Sequence, residues 1–158
     1  MWRATTMATE SEKVQDVMER NVQTADVNST VRDCAKLMAK KKVSSVVIVD
    51  GSKAVGIVTE RDLVVKVIAD NLDPSKVLAR DIMSTPLITI GPEATVKEAA
   101  GLMTEYRIRR LVVIDANGML AGLVTASGLA KLVAKEHKDP IVSAIARIHA
   151  TPTGGPYQ

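Results

Sequence analysis

Thr59 and Asp62 are the residues of this chain best suited by type and spacing to do chemistry. Thr59 ends the apolar run Val55 to Val58 and opens a helical stretch. Its hydroxyl and the unpaired amides of the first turn would face a cleft at the strand end, where the helix dipole favours anions. Asp62, three residues on, offers two carboxylate oxygens that can accept from a pair of neighbouring hydroxyls such as those of a ribose, and hydrogen bonds to a charged group are the stronger kind. Gly56 would let backbone approach closely. The same Thr-x-x-Asp spacing also satisfies a capping box, in which the carboxylate only returns to the N-cap amide. On the sequence both readings stand.

Other reactive side chains read differently. Cys34, the single cysteine, aligns with Ala99 at the same helical position and reads as a small core residue. Lys40, Lys41 and Lys42 end a helix, where cations suit the dipole. Arg109 and Arg110 open an otherwise apolar strand and point to opposite faces, so one of them is expected to face a cleft. His137 and His149 lack the neighbours a metal site needs. Walker and GxGxxG motifs are absent, and no Ser/His or Cys/His constellation suggests catalysis.

The elements that must position these residues are duplicated. Asp16-Val17-Met18 recurs as Asp81-Ile82-Met83, an offset of 65 that also carries Thr30-Val31 to Thr95-Val96, Leu37-Met38 to Leu102-Met103 and Asp50 to Asp115. After a one-residue insertion the offset is 66, carrying Gly56 to Gly122, Thr59 to Thr125 and Leu63 to Leu129. The second copy, GLVTASGL, keeps Gly122 and Thr125 but has Gly128 in place of the aspartate.

Each copy reads as strand, helix, strand, strand, helix, preceded by a short helical segment at Val14 to Met18 or Val77 to Met83. Thr30 and Thr95 are N-cap candidates for helices ending near Lys41 and Tyr106. The β-branched runs Val46 to Val49 and Leu111 to Ile114 are strands, returned by Asp50-Gly51 and Asn117-Gly118 turns to antiparallel partners. Second helices run from Thr59 and Thr125 to about Ala69 and Ala134. About 60 residues make an insecure unit alone, so an α+β fold is expected, with α/β-type layers: two small three-stranded sheets, each with two helices, packed sheet to sheet. The expected boundaries are an N-terminal extension 1–12, motifs at 13–69 and 76–136, a linker 70–75, an amphipathic helix 137–150 and a disordered tail 151–158.

Composition limits the partners. Of the 158 residues 46% are hydrophobic and 25% charged, a globular balance. With no Phe, one Trp and two Tyr, the chain lacks the clustered aromatics of a base-stacking surface, and a net charge of +3 is too small to indicate nucleic acid or membrane. A single cysteine and the lack of a signal-like or membrane-spanning apolar run point to the cytoplasm.

The DVM segment, the TVRDCAKLM helix, the VVIVD strand and GIVTERDL together resemble the CBS domain, and two in tandem over roughly residues 14 to 135 resemble a Bateman module. The resemblance implies a pseudo-twofold pair, often paired again as a homodimer, that is regulatory rather than catalytic and binds AMP, ADP, ATP or another adenosyl ligand between its motifs. On that likeness Thr59 and Asp62 hold the ribose, Ile57, Ser84, Thr85, Pro86 and Ile88 form the adenine pocket, and Arg61, Ser44, Arg109 and Arg110 lie toward the phosphates. A weaker second site would lie at Thr125 and Ser127, without a carboxylate. The alternatives are a ligand-free structural or dimerisation module, an S-adenosylmethionine binder and a nucleic-acid binder; the regulated protein is not named by the sequence.

Overall fold

A computed structural model describes residues 12–137 and Ile141. The extension 1–12, the helix expected over 137–150 and the tail 151–158 therefore lie outside the described residues, but for Glu12, His137 and Ile141. The elements in chain order are α1 (Val14–Val17), β1 (Thr24–Asp26), α2 (Val31–Lys41), β2 (Ser45–Asp50), β3 (Lys53–Thr59) and α3 (Glu60–Leu63), which runs on into a π-helical turn, Val64–Ile68. Then follow α4 (Ala79–Ile82), β4 (Thr89–Ile90), α5 (Val96–Tyr106), β5 (Arg110–Ile114), β6 (Leu120–Thr125) and α6 (Ala126–His137).

The duplicated sequence folds into duplicated local structure. Thr30 caps α2 by accepting from the Asp33 amide at 3.2 Å, and Thr95 caps α5 by accepting from Glu98 at 3.1 Å. Both helices close on a left-handed residue, Lys42 (φ 55°) and Arg107 (φ 53°), after which the Val43 and Ile108 amides return to the carbonyls of Met38 and Met103. In each three-stranded sheet the middle strand pairs parallel with a short first strand and antiparallel with the third, in the orders β1-β2-β3 and β4-β5-β6. The tight turns use Gly51 and Gly118 at positive φ.

The structure departs from a plain tandem in the allocation of the short helices. Among the described residues, one compact unit is Val22–Leu87; the other joins residues 12–21 to residues 88–137. Ala79 and Ile82 of α4 sit in the core of the first repeat with Val31, Cys34, Val46, Ile48 and Val58. Val14 of α1 sits in the core of the second with Ala99, Leu111, Val113 and Val124. Each repeat's strands and longer helices are thus completed by the short helix that precedes the other repeat. The close approach expected at Gly56 is made by the residue that follows α4, since a Cβ there would collide with Met83; at the equivalent Gly122 a Cβ would lie 2.6 Å from Met18 Sδ and 2.8 Å from the Glu19 carbonyl oxygen, just past α1.

Candidate functional site

The end of β3 and the first turn of α3 bring Thr59 and Asp62 together, since an N-cap residue and the third helical residue face each other across one turn. Both arms of a capping box are made. Asp62 Oδ2 accepts from the Thr59 amide at 2.8 Å and its hydroxyl at 3.1 Å, and the Asp62 amide donates to Thr59 Oγ1 at 3.3 Å. The other carboxylate oxygen, Oδ1, lies 3.0 Å from Lys66 Nζ. Asp62 is only 8% exposed, so the two Thr59 donors and the Lys66 cation offset the loss of its carboxylate's hydration.

Lys66 continues across the unit, donating to the carbonyl oxygen of Ile82 at 2.8 Å. Two residues further, Ser84 pairs with Ile57 by reciprocal backbone bonds, Ile57 N to Ser84 O at 3.3 Å and Ser84 N to Ile57 O at 2.9 Å. Ser44 places its carbonyl at the helix start, accepting from Glu60 N at 3.0 Å, and Arg61 is exposed on the same turn. The first unit therefore gathers Ser44, Ile57, Thr59, Arg61, Asp62 and the exposed run Ser84, Thr85 and Pro86. Ile88, Arg109, Arg110, Thr125 and Ser127 belong to the second unit.

There the equivalent elements carry different chemistry. Thr125 is a plain cap, its hydroxyl accepting from Gly128 N at 3.0 Å with no carboxylate in the box. The Arg109 carbonyl accepts from Ala126 N at 2.9 Å, repeating the bond between Ser44 and Glu60, and the half-buried Arg110 stands opposite Thr125 in the β-ladder. Leu123 pairs reciprocally with Glu19, with both backbone bonds 2.9 Å long, as Ile57 pairs with Ser84.

Sequence reasoning missed Glu19 and Lys66. The offset of 65 that links the repeats also carries Glu19 to Ser84 and would have identified the first. Asp62 and Lys66 stand four apart with the acid N-terminal, the favourable order for a helical ion pair, which would have identified the second.

Away from this region, Cys34 is fully buried and burial pushes its thiol up from its ordinary value, so it is a core residue rather than a nucleophile. An open cavity of about 610 Å³ lies beside Lys66, lined also by Asp70, Leu72, Lys76, Val77 and Ile82. Among the described residues no group of three or more His, Cys, Asp or Glu could hold a metal, and no helix is long and apolar enough to cross a membrane.

Comparison with known proteins agrees with the duplicated plan. The family model of the CBS domain matches residues 14–69 and 79–135. An uncharacterized protein of Methanopyrus kandleri is 44% identical over 116 residues, covering 73% of this chain and 59% of that protein. The inosine-5′-monophosphate dehydrogenase of Korarchaeum cryptofilum is 37% identical over 120 residues, covering 76% of this chain and 24% of the enzyme. The chain thus spans less than two thirds of the length of either relative. A solved CBS domain pair in complex with 5′-methylthioadenosine and S-adenosyl-L-methionine matches with a TM-score of 0.71 at 29% identity, over 78% of this chain and 97% of that one. CBSX2 in complex with AMP matches with a TM-score of 0.67 at 26% identity, over 81% and 99%.

Proposed function

The chain belongs to the CBS domain family, and from that premise we propose that it is a regulatory module that senses an adenosine-containing ligand, with Thr59 and Asp62 at the ribose. The observation that carries the reading is the asymmetry of the repeats: a carboxylate follows the first helix cap and a glycine the second. Asp62 retains acceptor capacity on Oδ1 beyond its bond to Lys66, because an ionised carboxylate has about four lone-pair sites. Ile57, Ser84, Thr85, Pro86 and Ile88 supply backbone and aliphatic surface for adenine; Ser44, Arg61, Arg109 and Arg110 are the groups for phosphate. Thr125 and Ser127 form the weaker second site. Similarity to pairs solved with AMP and with S-adenosyl-L-methionine supports the ligand class. AMP, ADP or ATP is our preferred ligand within it, acting by a shift in the balance of two conformations that controls a protein still to be identified.

The role is regulatory and non-catalytic, in the cytoplasm and with nucleic acid disfavoured, and the similarity to a dehydrogenase is confined to 24% of that enzyme. Self-association as a homodimer belongs to the same proposal. The turn after α3 exposes Val64, Val65 and Ile68, with Leu72 beyond it, and an apolar row of this kind favours a second copy. A thermal-shift panel of AMP, ADP, ATP and S-adenosylmethionine tests the ligand. Saturation at 100-fold the dissociation constant adds about 2.7 kcal/mol of stability. No shift with any of them would favour the second reading, a ligand-free structural module, for which the completed capping box at Asp62 is the specific observation.

A further inference from the structure

The ammonium of Lys66 is shared between Asp62 Oδ1 at 3.0 Å and the Ile82 carbonyl at 2.8 Å. These two acceptors belong to segments far apart in the sequence. Asp62 follows β3, whereas Ile82 ends α4 and leads directly to Ser84, whose backbone is bonded reciprocally to Ile57 of β3. The bonds form a closed ring: β3 to Ser84 at one point, and Asp62 through Lys66 to Ile82 at another. Met83 is held between the two points, against Gly56. Breaking the Lys66 link would leave the carboxylate positioned by its own helix cap alone, and the Ile82 carbonyl would lose this donor.

The second repeat is an internal control. Position 132, equivalent to Lys66 by the offset of 66, is Leu132, and position 128, equivalent to Asp62, is Gly128. Acid and base are present together in one copy and absent together in the other. The helix also differs: the first copy widens into a π turn with Ala69 N bonded to Val64 O, while the second is an α-helix from Ala126 to His137. Such π turns often occur at functional sites.

We propose that Lys66 is a positioning residue for ligand recognition, holding the Asp62 carboxylate and the Ile82–Ser84 segment at a fixed separation so that ribose and adenine are read together. This rests on the proposed ribose role of Asp62. A largely buried carboxylate is held in orientation by the cation paired with it, and Lys66 supplies one while leaving Oδ1 able to accept a hydroxyl.

The test is calorimetric titration of the full chain with AMP and with 2′,3′-dideoxy-AMP, which lacks both ribose hydroxyls. Wild type should prefer AMP by at least about tenfold, the range for a hydrogen bond to a charged group. In Lys66→Met the affinity for AMP should fall by about tenfold or more while that for the dideoxy compound holds, so the preference collapses. Lys66→Arg, which keeps the charge and can reach both acceptors, should retain most of it. An equal loss for both ligands would show a merely structural lysine, and unchanged or tighter AMP binding in Lys66→Met would show no positioning role or a competing one; either result overturns the proposal. If wild type binds AMP without preferring it over the dideoxy compound, or binds neither, the ribose reading of Asp62 itself fails and the role of Lys66 falls with it.

Discussion

Gly56 of β3 lies so close to Met83 that a Cβ at position 56 would overlap the methionine sulfur and approach Cγ to 2.7 Å. The glycine is required by the side chain that follows α4, the short helix that opens the second repeat in sequence but fills the core of the first. Overpacking at such a contact costs about 1–3 kcal/mol. Gly56→Ala should lower the urea midpoint accordingly, and Met83→Ala in the same chain should recover part of the loss. Gly101→Ala is the control: nothing lies within 4 Å of the added carbon, and the exposed turn of α5 should gain about 0.5–1 kcal/mol. Equal effects at positions 56 and 101 would contradict the packing account.

Asp62→Ala tests the helix start and the ligand site in one variant. It removes the acceptor for the Thr59 amide and the partner of Lys66, all in a largely buried setting, and the cost should be about 1–3 kcal/mol. That exceeds the simple loss of a cap which the sequence alone suggests. Asp62→Asn keeps an oxygen for the amide and loses only the charge, so it should unfold at higher urea than Asp62→Ala. Both should lose affinity for AMP. Denaturation curves with unchanged midpoints in Asp62→Ala would show that the box contributes nothing in solution.

The helix ends at Lys41 and Tyr106 and the antiparallel returns of β3 and β6 were legible in the sequence, because caps, β-branched runs and turn residues act over a few neighbours. The pairing of short helices with sheets was not. A four-residue helix carrying Val14 or Ile82 can complete either of two similar sheets, and nothing in its periodicity says which. At Asp62 the spacing announced both a cap and a ribose acceptor, and the structure makes the cap. For Lys66 the four-residue spacing from Asp62 announces the ion pair, whereas its second partner, the Ile82 carbonyl, is a backbone atom of a distant segment and leaves no mark in the sequence.

Cys34 should be inert in the native protein. Burial raises its thiol from the ordinary value, so the folded chain holds less thiolate there than the unfolded chain does. The linkage has a definite sign. Below pH 9 both folded and unfolded chains keep the proton; above it the unfolded chain releases the proton first, so stability falls as pH rises through the alkaline range. A thiol-reactive dye should label the protein slowly at pH 8 and rapidly in urea, and Cys34→Ser should lessen the alkaline loss of stability. Rapid labelling of the native protein would show that the thiol is accessible.

The unequal repeats set the stoichiometry. A missing charged hydrogen-bond partner costs about 1.5–3 kcal/mol, roughly 10- to 150-fold in affinity, so one AMP per chain should bind tightly and any second at least about tenfold more weakly. The second copy can be given the missing pair. Gly128 N already bonds Thr125 Oγ1 at 3.0 Å, as Asp62 N bonds Thr59 Oγ1 at 3.3 Å, so the backbone is in the geometry that accepts an aspartate in the first copy. The added Cβ would lie 3.2 Å from Thr125 Oγ1, a contact that a small rotation of the threonine relieves. Gly128→Asp alone should tighten the second site modestly, because Leu132 offers its carboxylate no cation. Gly128→Asp with Leu132→Lys should tighten it further and bring titration toward two sites per chain. Two equivalent sites in wild type would refute this division of labour between the repeats, and so would a double variant no better than Gly128→Asp.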